Sequence, residues 1–144
     1  MFVVFGSFKY GMVAVIPNLF PVVVTFGVMG IFDFALDADT LIIAPIVIGI
    51  AVDDTIHFLT HFRAYLIETG DIRKTISHTV REVGQAVVFT TLIIVLGFLV
   101  QMFSSHQGMA NFGFLTAIAF ISALLADLLL LPALCVLADL KPHR

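Results

Sequence analysis

Along this chain, apolar residues gather into four blocks, each long enough to cross a bilayer, and polar residues gather between them. A spanning helix needs about 20 mostly apolar residues, and four stretches meet that requirement: about 12–32, 40–62, 85–103 and 111–137. Residues 1–8 are apolar but too short to cross alone, and read as the end of a partial N-terminal helix. Between the second and third blocks the pattern changes. Residues 64–84 are largely polar, with apolar Ile72, Ile76, Val80 and Val83 recurring every three or four positions. That spacing predicts an amphipathic helix lying along the membrane interface. The expected fold is an all-α, polytopic membrane bundle forming a single domain over residues 1–144.

Composition supports this reading. Of 144 residues, 60% are hydrophobic and 12% charged, with a mean hydropathy of +1.13. Soluble domains carry about 45–50% apolar and about 25% charged residues, so the chain is expected to sit in a cell membrane with lipid as its principal surroundings. The net charge of −3 and the absence of a dense basic patch argue against nucleic acid as a partner. The single cysteine, Cys135, cannot form an intramolecular disulfide.

The basic residues predict an orientation. Lys9 precedes the first block, Arg63, Arg73, Lys74 and Arg81 follow the second, and Lys141 and Arg144 follow the fourth. The other two loops hold Asp33, Asp37 and Asp39, or no charge, and neither contains Lys or Arg. All basic residues therefore fall on one side, which the positive-inside rule assigns to the cytoplasm together with both chain ends.

Within the second block lies Gly49-Ile-Ala-Val-Asp-Asp-Thr-Ile-His-Phe58. At 100° per residue, Asp53, Asp54, His57 and His61 share an arc of roughly 100° on one helical face. A carboxylate near mid-bilayer costs about 2.5–3.5 kcal/mol on insertion scales, so an intramembrane pair is a functional-site candidate. Three kinds of chemistry fit these residues. Carboxylates withdrawn from water, with histidines that titrate near neutral pH, can pass protons across a membrane. Asp54, His57 and His61 at helical spacing could bind a transition metal, although no Cys or Glu stands at the same depth to complete a shell. The cluster could also join helices by hydrogen bonds alone. In the third block, Thr90 and Thr91 can bond to their own helix or reach a neighbour. In the fourth, Asp127 could pair with a cation at the boundary or join a polar pathway. The prolines of Ile16-Pro-Asn-Leu-Phe-Pro21 are expected to kink or open the first helix.

Enzyme chemistry has little support. The chain has no Gly-x-Ser-x-Gly, His-Glu-x-x-His or phosphate-cradling glycine loop. An intramembrane aspartyl hydrolase would require Asp53 or Asp54 to work with Asp127. No cofactor or resident metal is called for.

Taken together, these motifs resemble the resistance-nodulation-division (RND) superfamily. The Asp-Asp segment is similar to its fourth or tenth transmembrane helix, especially in the exporter branch related to MMPL lipid transporters and sterol-sensing domains. Ile16–Pro21, Thr90-Thr-Leu-Ile-Ile-Val-Leu-Gly97, Asn111-Phe-Gly113 and Ala126-Asp-Leu-Leu-Leu-Leu-Pro-Ala133 follow in the family's order. The resemblance implies a proton-motive-force-driven exporter of hydrophobic or amphiphilic compounds. Asp53 and Asp54 would be its relay acids and Thr90 the relay-helix hydroxyl; His57 and Asp127 are further candidates for the polar pathway. Multidrug branches carry Lys at the position of Asp53, and this chain departs from them. Family members have about twelve spans in two repeats, so this chain matches the distal membrane part of one repeat, more in keeping with the second. Its expected partners are the remainder of such a transporter or further copies of itself, in a bacterial inner membrane. The alternative is a non-transporting, lipid-binding sensor or scaffold of the sterol-sensing kind.

Overall fold

The computed structural model of the chain describes residues 8–138, with side chains described from residue 11. The partial helix expected over residues 1–8 therefore lies almost wholly outside the described residues. The elements are α1 (Phe8–Ile31), a short capped turn of helix α2 (Ala38–Leu41), α3 (Ile43–Thr69), α4 (Ile72–Val100), a 3-10 turn (Gln101–Phe103), α5 (Gln107–Leu125), a π turn (Ala126–Leu130) and α6 (Leu131–Leu137). No strand occurs among them. Four segments are long and apolar enough to span a membrane: Gly11–Ile31, Ala38–Thr69, Ile72–Phe103 and Gln107–Leu137. The protein is an all-α membrane bundle.

The spans alternate in direction. Helix α1 packs against α3 and α5, α3 against α4, and α4 against α5, while α3 and α5 also meet across the middle. The Gln107–Leu137 span is the most deeply buried of the four, and α4 turns Phe89, Ile93, Leu96 and Val100 outward. Exposed apolar side chains of this kind suit lipid.

Helices α3 and α4 have 27 and 29 residues. At 1.5 Å per residue they run for about 40 Å or more, beyond a hydrocarbon core of about 30 Å. Their excess length corrects one expectation. The separate interfacial helix over residues 64–84 does not form; Arg63–Thr69 prolongs α3, and α4 begins at Ile72. Only Gly70 and Asp71 intervene. Gly70 takes the left-handed conformation (φ 67°) and donates its N–H to the Leu66 carbonyl, and the Asp71 carboxylate accepts from the N–H groups of Arg73 and Lys74. The apolar stripe of Ile72, Ile76, Val80 and Val83 packs into the cluster containing Phe62 and Leu66. Periodicity shows that a face is apolar but not what covers it. Here a neighbouring helix covers it.

The prolines act in two ways. Helix α1 continues through Pro17 and Pro21 without interruption. Asn18 Nδ2 donates to the Ala14 carbonyl at 2.7 Å, and Thr25 Oγ1 donates to the Pro21 carbonyl at 2.7 Å, so nearby side chains supply hydrogen bonds along this stretch. In the last span, the ring of Pro132 would clash with the carbonyl four residues back, and the proline has no N–H to offer it. The helix widens into a π turn just before it, where the Leu131 N–H reaches back five residues to Ala126.

At the opposite end from the α3–α4 turn, Asp37 and Thr40 form a reciprocal capping box that starts α2. The Thr40 N–H and hydroxyl hold the Asp37 carboxyl below its ordinary value of 3.8. Because the folded value is depressed, this cap is complete above that pH and is lost as pH falls through the folded value.

Close packing of α4 and α5 depends on a glycine. A Cβ at Gly113 would lie 2.5 Å from the Phe98 carbonyl oxygen, whereas one at Gly97 meets nothing within 4 Å. Thermal unfolding in detergent should show Gly113→Ala destabilised by about 1–3 kcal/mol, as overpacked sites are. Gly97→Ala should be neutral or slightly stabilised, since alanine favours helix by up to ~1 kcal/mol.

Candidate functional site

Two apolar clusters fill the bundle, one above the other. The first contains Val13, Phe58, Phe62, Val83, Val87 and Leu131; the second contains Met29, Ile43, Val47, Val95, Leu115 and Phe120. On every spanning helix, buried polar residues fall between the positions belonging to the two clusters: Asn18 on α1, Thr55 on α3, Thr91 on α4, and Ser122 and Asp127 on the last span. A polar layer therefore crosses the bundle. Thr55 lies 12 residues beyond Ile43, or about 18 Å along α3, close to the middle of a core about 30 Å thick.

Three of these residues meet. The Thr55 hydroxyl lies 3.0 Å from Asp127 Oδ1 and 3.2 Å from Asn18 Oδ1, with donation to either oxygen geometrically allowed. The Asn18 amide is oriented by its own bond from Nδ2 to the Ala14 carbonyl, which leaves Oδ1 facing Thr55. All three are buried, with exposures of 5% for Asn18, 0% for Thr55 and 4% for Asp127. The π turn carries Asp127 into this position, and π turns in helices are frequent at functional sites. The partner of Asp127 in the structure is the Thr55 hydroxyl in the interior.

The Asp-Asp pair is arranged differently. The buried residues of α3 are Ile43, Val47, Ala51, Thr55, Phe58, Leu59, Phe62 and Leu66, a face roughly opposite the Asp53–His57–His61 arc. Asp53 and His57 are exposed, and Asp54 and His61 are half-buried at the edge. The two imidazoles lie against each other, with ring centroids 4.6 Å apart and planes tilted by 55°. Asp54 has Asp53 and His57 within electrostatic reach on one side and Asp127 on the other. It stands at the edge between the open face of α3 and the buried layer.

Thr90 is not brought into this layer. It is exposed, and its hydroxyl donates to the carbonyls of its own helix, Ala86 at 3.1 Å and Val87 at 3.0 Å. The neighbouring Thr91 is the buried hydroxyl at that level. Among the described residues, no group of three His, Cys, Asp or Glu side chains is placed to hold a metal ion.

Sequence reading passed over Thr55 and treated Asn18 only as part of a proline motif. A signal for Thr55 was present: it shares a helical face with Ala51, Phe58 and Phe62, so its hydroxyl interrupts an otherwise apolar stripe.

The sequence profile of the MMPL family matches residues 1–141. The chain belongs to the MMPL family. A relative, MJ1562 of Methanocaldococcus jannaschii, is 34% identical over 124 residues and is provisionally named a membrane protein. That match covers 86% of this chain and 32% of the relative, so the chain spans about a third of the length of the protein it resembles. No solved structure matches. Membership of the MMPL family places the polar layer within a membrane protein.

Removing the Thr55 hydroxyl should expose the energetic weight of the layer. Thr55→Val keeps the shape but leaves the buried Asp127 with neither oxygen paired to it, and should cost about 1–3 kcal/mol. Thr55→Ser should retain most of the wild-type stability. Thermal or denaturant unfolding in detergent measures both.

Proposed function

We propose that this chain is membrane machinery of a proton-motive-force-driven exporter of hydrophobic or amphiphilic, lipid-like compounds. The observation that carries the reading is the placement of intramembrane acids at two linked depths. Asp53 and Asp54 stand at the open face of α3, and Asp127 stands in the buried layer behind them. In this reading protons enter at Asp53 and Asp54, with His57 beside them, and reach Asp127. Neutralising a buried charge alters which helix packing is preferred, and a bundle with two packings converts that change into movement. The hydroxyl supplied by the third span is Thr91 rather than Thr90, whose proton is already committed to its own backbone.

The exposed acidic arc supports a covered face in the working protein. A carboxylate turned to lipid is costly, so further helices are expected to close over Asp53 and His57. These would come from the remainder of a longer transporter or from another copy of the chain. Transporters built from repeats place their coupling sites at such midplane interfaces. The basic residues Arg63, Arg73, Lys74 and Arg81 cluster around the α3–α4 turn, which supports a cytoplasmic location for that turn and both chain ends in a cell membrane.

The second reading, a lipid-binding sensor or scaffold, is favoured by an apolar groove of about 380 Å³ between α1 and the π turn. It is lined by Phe20, Leu125, Ala126, Leu129, Leu130 and Ala133. Proton flux separates the two. In proteoliposomes containing the assembled protein, Asp53→Asn and Asp54→Asn should each lower substrate-coupled proton flux at least about tenfold, equivalent to ~1.4 kcal/mol in the barrier. Thr90→Val should leave it near wild type. Normal flux in both Asp variants, with lipid binding intact, would instead favour the scaffold.

A further inference from the structure

Three buried side-chain oxygens among the described residues have no hydrogen-bond partner: Thr79 Oγ1, Thr116 Oγ1 and Asp127 Oδ2. Only the last belongs to a group that can carry charge, and it lies where other oxygens already converge. Asn18 Oδ1, Asp127 Oδ1 and Asp127 Oδ2 are acceptors, and the Thr55 hydroxyl has a single proton to offer them. The Asn18 amide nitrogen is turned away to the Ala14 carbonyl. The cluster is short of positive charge.

We propose that Asn18, Thr55 and Asp127 form a binding site for a small monovalent cation of the size of Na⁺. Four side-chain oxygens from three helices converge there, and hard cations take oxygen ligands of this kind: carboxylate, amide carbonyl and hydroxyl. The Thr55 oxygen can ligate through its lone pairs while its proton serves one acceptor. Charge balance selects the valence. A single carboxylate neutralises one positive charge, whereas a divalent ion would leave a net charge buried between two apolar clusters, which is costly. A proton competes for the same place: on Asp127 Oδ1 it would donate to the Thr55 oxygen at 3.0 Å while the Thr55 hydroxyl turns to Asn18 Oδ1, so the cation binds by displacing it. Asp54, half-buried and within electrostatic reach of Asp127, marks the access route from the open face of α3.

The π turn contributes as well. It sets Asp127 and the loosened backbone around it beside the site, as interrupted helices do at ion sites in other transporters. Such a site binds whether or not the protein moves protons. The inference therefore goes beyond the exporter reading and can fail separately from it.

The test is equilibrium binding of radioactive ²²Na⁺ to the purified chain in detergent, at mildly alkaline pH and constant ionic strength maintained with choline. Saturable binding of a single ion per chain is expected, accompanied by a saturable rise in melting temperature that choline does not produce. Thr55→Val and Asp127→Asn should each weaken binding at least about tenfold, the scale on which losing a bond to a charged group is felt. Thr55→Ser should bind as wild type does. Thr55→Val preserves volume, so it remains informative if Asp127→Asn does not fold. Absence of saturable ²²Na⁺ binding, or binding unchanged in Thr55→Val, would overturn the site and leave water or a proton as its occupant. Preferential stabilisation by K⁺ over Na⁺ would overturn the assigned ion size.

Discussion

The Thr55 hydroxyl, within hydrogen-bond distance of both Asp127 and Asn18, brings three helices together where polar groups are most expensive. In hydrocarbon there is no water to satisfy a misplaced carboxylate, so the bundle must bring a partner to it. Asn18, Thr55 and Asp127 come from α1, α3 and the last span, and their meeting fixes the relative depth of all three. Apolar contacts alone would specify this less sharply, because helix faces rich in Leu, Ile and Val slide against one another at little cost, and lipid tails are as apolar as they are. The layer thus gives the bundle its register, with an apolar cluster on either side.

Backbone irregularity serves that layer. Pro132 forces the last span to widen, and the widening occurs at Ala126–Leu130, the turn that carries Asp127. In α1, Asn18 lies between Pro17 and Pro21, where its side chain both donates to the Ala14 carbonyl and presents an oxygen to Thr55. Helix-breaking residues are tolerated in a membrane where other groups restore the lost hydrogen bonds. Here they stand beside the polar residues that the site uses.

The acids divide between an outer and an inner station. Asp53 and His57 occupy an open face, Asp54 its edge, and Asp127 the interior. The proposed ion path rests on this gradient of burial rather than on any single carboxylate. In the proposed function, further helices would cover the outer station. In the α3–α4 hairpin the rings of Tyr65 and His78 lie 4.0 Å apart with planes tilted by 37°, and His78 lies 3.6 Å from Glu82.

From the sequence alone, the four spans, the segregation of basic residues and the singular character of Asp53 and Asp54 were legible. Those properties rest on local composition: about 20 apolar residues must leave water together, and charges in such a run are rare enough to stand out. What each face meets was not legible. The stripe of Ile72, Ile76, Val80 and Val83 reads equally well against a membrane surface or another helix, and tertiary packing put it on α3. Thr90 and Thr91 are the same residue type in adjacent positions; helix rotation alone buried one and exposed the other. Thr55 carried no charge to draw notice, and its importance arises because Asp127, 72 positions later, folds against it. Sequence determined which segments enter the bilayer because that is a property of each segment. Only the tertiary structure decided which polar atoms meet there, because that depends on how four helices turn relative to one another.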